Sequence, residues 1–226
     1  MIKLNNISKF YQSPAGQITK KTCGLREASL DINEGDFISF VGNTGSGKTT
    51  LISIIGLILE PDSGEIIFKN RRISGYGNAL NRLRAEYYSY ILQKNIFFDN
   101  LNLLDNILLP VSLLREPGSL DRQKALDMLQ ILKFRSSPQA LPDTLSMGEQ
   151  KKCALVRALL KPSAIILADE PTASLDEESA DLALHMLKDE NKKGRAVVLV
   201  THSRKYTKYS KNIYQLSEGK IEKCLK

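Results

Sequence analysis

The chain has 226 residues, 42% hydrophobic and 25% charged, and 32 basic against 25 acidic side chains give it a net charge of +7. This length predicts one domain with subdomains, and the composition excludes a disordered or fibrous chain. The basic residues are dispersed apart from a short cluster at residues 204–211, so we expect a solvated basic surface and no nucleic-acid partner.

The cysteines and the apolar runs indicate the redox environment of the protein and whether it crosses a membrane. The three cysteines, Cys23, Cys153 and Cys224, are scattered and form no C-x-x-C pair. This favours reduced thiols over a disulfide framework or a metal site. We expect no N-terminal signal segment, and the longest mostly apolar run, residues 51–59, is too short to cross a bilayer. If the protein works at a membrane, another chain must cross it.

The N-terminal 32 residues predict antiparallel strands. The alternating apolar positions are Ala28, Leu30 and Ile32. A polar, turn-rich insert is predicted at residues 12–24. A turn at residues 33–36 then leads into a buried strand over residues 37–41.

The stretch GNTGSGKT, residues 42–49, follows this strand and matches the phosphate-binding pattern G-x-x-x-x-G-K-[ST]. Glycines let backbone N–H groups approach phosphate oxygens, and a following helix adds the positive end of its dipole. That predicted helix has an apolar face of Leu51, Ile54, Ile55 and Ile58. Lys48 would contact the outer phosphates and Thr49 a Mg²⁺ ion. A chance glycine loop is the alternative, but the strand–loop–helix context favours a nucleoside triphosphate. A dinucleotide fingerprint would need glycine at Thr44.

The remaining chain alternates strands and helices. Further strands are predicted at residues 66–68, 87–92, 165–168 and 196–200. A helical region is predicted over residues 95–138, with a start at residues 119–121 and an apolar face of Leu126, Leu129 and Leu132, and further helices over residues 146–160 and 179–192. This order predicts an α/β fold with a mostly parallel sheet, an N-terminal antiparallel β subdomain and a helical insertion between Gln93 and Leu160.

Two carboxylates and a histidine follow predicted buried strands. Asp169 at a strand end can coordinate Mg²⁺, and Glu170 is then placed to polarise an attacking water as a general base. His202 follows the next strand and could contact the terminal phosphate. Taken alone, these would be an ordinary acidic strand end and a solvated histidine. The upstream glycine loop favours the functional interpretation of the carboxylates.

The stretch LSMGE precedes a predicted helix. Ser146 and Glu149 have the spacing of a capping box, which would make the stretch a helix start and nothing more. Alternatively, Ser146 and the exposed N–H groups of that helix end form a second anion site. Five residues do not decide between the two.

In this order, the motifs resemble those of the ATP-binding subunit of an ABC transporter over essentially the whole chain. The resemblance implies a single P-loop NTPase domain with a RecA-like sheet. Its nucleotide-binding core and β subdomain would span residues 1–93 and 161–226, and a helical signature subdomain residues 94–160. The pair Leu109-Pro110 and the stretch LADEPT at residues 167–172 resemble the branch that exports macrolides, lipoproteins and antimicrobial peptides.

The resemblance also implies ATP and Mg²⁺ as cofactors and assigns site residues. It makes Glu170 the catalytic glutamate, with Gln93 and His202 beside it, and places Mg²⁺ at Thr49, Gln93 and Asp169. Nucleotide-binding residues would be Tyr11, Gly42, Asn43, Thr44, Gly45, Ser46, Gly47, Lys48, Thr49, Thr50, Ser146, Gly148 and Glu149. Tyr11 would stack on adenine, and an exposed loop tyrosine is the open alternative.

Two residues depart from the family's usual LSGGQ. Met147 adds a side chain where close backbone approach is usual. Glu149 brings a carboxylate near the expected terminal phosphate, which should weaken closure on ATP unless that carboxylate is turned away or neutralised. The sequence therefore predicts slower ATP hydrolysis than in a Glu149→Gln variant.

The resemblance further implies a head-to-tail homodimer, an integral membrane permease encoded by a separate chain, and a cytoplasmic, peripheral location at the inner face of the membrane. Two alternatives stay open. One is a soluble ABC ATPase of an assembly complex. The other is a regulatory module that binds ATP and turns over slowly, for which Met147 and Glu149 argue.

Overall fold

The computed structural model describes residues 1–12, 21–75 and 77–224. In this part of the chain the strands are β1 (Ile2–Gln12), β2 (Lys21–Ile32), β3 (Phe37–Val41), β4 (Ser63–Phe68), β5 (Arg71–Arg72), β6 (Tyr88–Ile91), β7 (Ile165–Asp169), β8 (Ala196–Thr201), β9 (Asn212–Ser217) and β10 (Lys220–Cys224). The helices are α1 (Lys48–Ile55), α2 (Asn78–Tyr87), α3 (Leu103–Ser112), α4 (Ser119–Ile131), α5 (Met147–Leu160) and α6 (Glu177–Lys192).

The central sheet has the strand order β10-β9-β3-β8-β7-β6. All its neighbouring strands are parallel except β9 and β10, which form an antiparallel hairpin. Every residue of β3, β7 and β8 is buried, as expected for parallel strands covered on both faces. The predicted α/β fold with a mostly parallel sheet is therefore confirmed.

The N-terminal sheet is antiparallel, with the order β2-β1-β4-β5. Ala28, Leu30 and Ile32 are buried as predicted. The insert predicted at residues 12–24 is wrong at both ends, because Gln12 closes β1 and β2 begins at Lys21. Residues 13–20 lie outside the described part of the chain.

Helices α3, α4 and α5 pack around a hydrophobic core cluster that includes Leu104, Leu129 and Leu155. Only part of the predicted 95–138 region is helical, because α3 begins at Leu103, capped by the side chain of Asn102. Helix α5 begins immediately after Ser146, and α6 begins two residues before the prediction, capped by Asp176.

Three predictions of detail were wrong. Helix α1 ends at Ile55, followed by Gly56 and by Leu57 at a φ of +57°, so Ile58 is 53% exposed instead of on the apolar face. Helix α2 was missed, because Leu80 is its one fully buried apolar residue among the described side chains and leaves little periodicity. Tyr87 consequently ends α2, and the strand begins at Tyr88.

Candidate functional site

The carboxyl ends of four parallel strands meet at one edge of the central sheet. The glycine loop follows β3, Gln93 follows β6, Glu170 follows β7 and His202 follows β8. Because ligands of open α/β sheets bind at this edge, the topology itself brings together segments far apart in sequence. They surround a cavity of about 380 Å³, lined by Tyr11, Thr44, Gly45, Gly47, Lys48, Thr49, Thr50, Gln93, Asp169, Glu170 and His202 among others.

The glycine loop has the conformation of an anion cradle. Gly45 and Gly47 have φ values of +80° and +102°, and a Cβ on Gly47 would lie 2.1 Å from the carbonyl oxygen of Gly24. Within the described chain, the backbone N–H groups of Thr44, Gly45, Gly47 and Lys48 have no hydrogen-bond acceptor. Unpaired N–H groups at a helix start fit phosphate oxygens.

The side chain of Lys48 folds back onto the backbone of this loop. Its Nζ donates to the carbonyl oxygens of Gly42 at 2.7 Å and Asn43 at 2.8 Å. The hydroxyl of Ser46 is buried and has no hydrogen-bond partner among the residues that the structure describes. The loop therefore combines a cation and unpaired donors, which is what a triphosphate requires.

Thr49 and Asp169 fit the two sides of a magnesium site. The Thr49 hydroxyl donates to Oδ2 of Asp169 at 3.2 Å. Two oxygens bound to one octahedral Mg²⁺ at right angles would lie about 2.9 Å apart, since each bond measures about 2.0–2.1 Å. A small adjustment would let both oxygens bind one ion.

The surroundings of Asp169 oppose its ionisation. Burial raises the pKa of the Asp169 carboxyl, and the charge of Glu170 adds to the rise. The hydrogen bond from Thr49 and the charges of Lys48 and Lys151 act in the opposite direction. The net result is a raised pKa, so ionising Asp169 in the folded protein costs free energy. A bound cation would offset this cost.

We expect Asp169→Asn to stabilise the ligand-free protein while abolishing ATP hydrolysis. A raised folded-state pKa means that stability falls as pH rises from the unfolded value through the folded one, so at pH 7 the charge costs stability. Removing it should raise the Tm by about 2–4 °C for each ~1 kcal/mol gained. Differential scanning calorimetry at pH 7 measures this, with the exposed Asp189→Asn as control, since the pKa of Asp189 is lowered by Lys192. A lower Tm for Asp169→Asn would contradict the prediction.

Glu170 is held in a strained and well-defined position. Its φ is +49°, in the left-handed region that residues other than glycine rarely adopt. Its Oε1 lies 2.9 Å from Nδ1 of His202, and its Oε2 accepts a hydrogen bond from the Thr201 hydroxyl at 3.3 Å. Because a carboxylate oxygen only accepts, the hydrogen of this pair is assigned to Nδ1 of His202. In a neutral ring Nε2 is then an acceptor, so it could donate to a phosphate oxygen only if the ring carries a second proton.

Gln93 reaches the cavity from the segment after β6. Lys151 of α5, which is 2% exposed, donates from Nζ to the carbonyl oxygens of Leu92 and Gln93, at 3.0 Å each. Burial lowers the pKa of Lys151, while the charges of Asp169 and Glu170 act to raise it.

Tyr11 lines the same cavity as the carboxylates and is 42% exposed. Its hydroxyl lies 3.1 Å from Oγ1 of Thr50. A Cβ on Gly24 would lie 2.7 Å from the Tyr11 ring, so the ring rests on the bare backbone of Gly24. The ring is thus fixed beside the glycine loop, where a base could stack on it.

Ser146 and its neighbours line a second, separate cavity of about 600 Å³ at the N-terminus of α5. Its lining comprises Lys133, Arg135, Ser146, Met147, Gly148, Glu149, Lys152, residues 174–176, Glu178 and Ser179. None of these residues lines the first cavity. Ser146 and Glu149 form the predicted capping box, since the Ser146 hydroxyl accepts from the Glu149 N–H at 3.3 Å.

The carboxylate of Glu149 is hydrogen-bonded within its own chain. Oε1 accepts from the Ser136 hydroxyl at 2.6 Å and Oε2 from the Ser146 hydroxyl at 3.2 Å. The Ser136 hydroxyl lowers the pKa of Glu149, so the charge stays in place at neutral pH. Met147 is 62% exposed beside it.

Residues 173–176 connect the two cavities. Ala173 lines the first and residues 174–176 line the second. A Cβ on Gly148 would lie 2.8 Å from the carbonyl oxygen of Ser174, so this segment packs directly on the start of α5.

Sequence reasoning missed several of these contacts. Thr201, Gly24 and Lys151 were not singled out, and one of them left a signal. Gly24 was assigned to the predicted insert at residues 12–24, but it lies inside β2, where a glycine often marks close backbone approach. Lys151 stands on the helix face that also carries Leu155 and Ala158, where a charged residue is unexpected.

Comparisons with known proteins agree with this geometry. Residues 25–173 match the protein family described as ABC transporter. The chain is 35% identical to the ABC transporter ATP-binding protein MJ1508 of Methanocaldococcus jannaschii, over 98% of this chain and 97% of that protein. It is 31% identical to the macrolide export ATP-binding/permease protein MacB of Pectobacterium atrosepticum, of which it spans about a third of the length (34%).

Solved structures show the same similarity. The dimeric structure of the ATP-binding cassette MJ0796 in a post-hydrolysis state, bound to ADP and Pi, has a TM-score of 0.89 and 31% identity, covering 98% of this chain and 97% of that one. No helix in the described residues of the present chain is long and apolar enough to span a bilayer.

Proposed function

The chain belongs to the ABC transporter family of ATP-binding proteins and is an ATPase, and from that premise we propose that it powers a separate membrane permease by closing on ATP as a head-to-tail homodimer. The observation that carries the proposal is the division of the functional residues between two cavities of one chain. Residues 42–50 would hold a nucleotide in the first cavity. Ser146 lines the second, and by exchanging its hydrogen bond to Glu149 it could serve a nucleotide bound to another copy.

In the proposed mechanism, the loop N–H groups and Lys48 bind the phosphates. Thr49, Asp169 and Gln93 would hold Mg²⁺, which shields charge on the reacting phosphates. Glu170 accepts a proton from the attacking water, and His202 orients that carboxylate by donating from Nδ1. A second proton, on Nε2, would let the same ring donate to the terminal phosphate. Tyr11 would stack on the adenine ring.

The second half of the site would come from the partner copy. The Ser146 hydroxyl and the N-terminus of α5 would face the terminal phosphate bound by the other chain, flanked by Lys133, Arg135 and Lys152. Because the closed pair binds ATP with more groups than the open chains do, ATP shifts the equilibrium towards closure, and hydrolysis reverses the shift.

We further propose that the permease is an exporter and that the protein lies at the cytoplasmic face of the membrane. The support is the similarity to MacB proteins, whose names join an ATP-binding part to a permease, and to MJ1508, an ATP-binding protein of matching length. No segment in the described residues of this chain could itself cross the membrane as a helix.

Light scattering with and without Mg²⁺–ATP tests this function. We expect the purified chain to be monomeric without nucleotide and dimeric with ATP in the Glu170→Gln background, and Ser146→Ala to remove the dimer while leaving ATP binding intact. Ser74→Ala, at an exposed position that lines neither cavity, serves as the control. A pair that forms equally well with Ser146→Ala would contradict the proposed composite site.

A second candidate is a regulatory ATPase with slow turnover, favoured by the exposed Met147 and the ionised Glu149 at the edge of the second cavity. A steady-state hydrolysis rate separates the two candidates, since a motor needs continuous turnover.

We expect Glu149→Gln to raise that rate. Removing one negative charge near the second phosphate-binding surface should contribute about 1 kcal/mol or less, because the carboxylate is partly solvated and already bonded to Ser136. This corresponds to roughly a fivefold increase at most. An unchanged or reduced rate, with Tm equal to wild type, would show that the charge does not slow closure.

A further inference from the structure

Helix α5 carries a buried cation that contacts the segment bearing Gln93. Lys151 is 2% exposed, and its ammonium group donates to the carbonyl oxygens of both Leu92 and Gln93 at 3.0 Å. Breaking such a contact would leave a buried charge and two carbonyls without partners, which is costly. The backbone of Gln93 is therefore fixed relative to α5.

The same helix begins at the second cavity. Ser146 caps its N-terminus, and Lys151 follows five residues later, roughly 7.5 Å along the axis at 1.5 Å per residue. If α5 shifts as one piece, the Lys151 ammonium would carry the Gln93 backbone with it through these two hydrogen bonds.

We propose that Lys151 is a positioning residue that holds Gln93 in the first cavity and joins its position to that of Ser146 in the second. The inference rests on the proposed function, in which Gln93 serves the nucleotide of its own chain and Ser146 that of the partner. Lys151 would then let a partner's nucleotide, on contacting Ser146, set the place of Gln93 at the chain's own nucleotide.

Charge supports the same arrangement. The carboxylates of Asp169 and Glu170 lie close enough to Lys151 to interact with its ammonium group. The charges of Lys151 on α5 and of Lys48 at the glycine loop both act on Asp169. Methionine at position 151 removes both the charge and the two hydrogen bonds, whereas glutamine removes the charge and keeps a donor.

The chain supplies a matched control at the other end of α5. Lys161 is also buried, and its ammonium group donates to the carbonyl oxygens of Arg84 and Tyr88, but it lines neither cavity. Lys161→Met therefore removes the same kind of contact without reaching Gln93.

The experiment measures kcat, the ATP dissociation constant and Tm for Lys151→Met, Lys151→Gln, Lys161→Met, Gln93→Ala and the double variant Gln93→Ala/Lys151→Met. Since a displacement of about 1 Å can cost about a hundredfold in rate, we expect Lys151→Met to lower kcat by about tenfold to a hundredfold. The ATP dissociation constant should change less than about threefold. Lys151→Gln, which keeps a donor, should lie between wild type and Lys151→Met.

The double variant distinguishes positioning from general destabilisation. If Lys151 acts through Gln93, adding Lys151→Met to Gln93→Ala should lower kcat no further. Multiplied effects, or an equal loss of kcat in Lys161→Met, would overturn the inference. So would failure of both Lys151 variants to fold, which would assign the residue a structural role alone. A full kcat for Gln93→Ala would instead contradict the role of Gln93 in the proposed function.

Discussion

Glu170→Gln should abolish ATP hydrolysis while leaving ATP binding intact. Removal of a general base lowers a rate by about 10²–10⁴-fold, and the amide cannot accept the proton of the attacking water. The amide oxygen can still accept from Nδ1 of His202, which now lies 2.9 Å from Oε1, so the local geometry should survive. With chemistry blocked, the ATP-bound pair should accumulate.

Phosphate release and light scattering measure the two effects. Glu177→Gln, on an exposed acid seven residues further along, gives the control for loss of one negative charge. Its hydrolysis rate should match wild type. Brisk hydrolysis by Glu170→Gln would remove Glu170 from the role of base, and loss of ATP binding would show that its place is mainly structural.

Lys48→Met should lose most of the affinity for ATP. Charge-assisted hydrogen bonds are worth about 1.5–3 kcal/mol each, so losing one should raise the dissociation constant by about tenfold to a hundredfold or more. Lys48 now donates to the carbonyl oxygens of Gly42 and Asn43, and it must leave them to reach a phosphate. The apo loop should therefore be only slightly less stable in the variant.

The ATP-induced rise in Tm measures this loss, because a ligand that binds the folded state stabilises it in proportion to the logarithm of its concentration over the dissociation constant. Lys192→Met removes an equal charge from an exposed position on α6 and should keep the full rise. An unaltered rise in Lys48→Met would place the phosphates elsewhere.

The sequence was sufficient to predict those parts of the site that are formed by residues adjacent in the chain. The glycine loop between β3 and α1, and the carboxylates after β7, are continuous stretches whose chemistry is set by adjacent residues, and the strand–helix alternation follows from periodicity. The topology then places Gln93 and His202 at the same edge. Their roles in binding and catalysis stay predictions until the variants are measured.

What the sequence did not predict depends on contacts between distant segments. Thr201 bonds Glu170 across two neighbouring strands, and the Gly24 carbonyl packs on Gly47. The hairpin of β9 and β10 was missed because residues of β9 are mostly half-buried and show little alternation. It nevertheless braces the site, since the Gly219 N–H donates to the Ser46 carbonyl oxygen at 3.1 Å.

Placement of the phosphate loop and Ser146 in different cavities has a genetic consequence, provided that two copies pair as proposed. A chain with Lys48→Met still has an intact Ser146, and a chain with Ser146→Ala still has an intact Lys48. In a mixed dimer of these two inactive variants, both substitutions would fall in one composite site, and the other composite site would be intact. Complementation between inactive alleles would then be expected. Its absence would mean that each subunit works alone or that activity requires ATP hydrolysis at both sites.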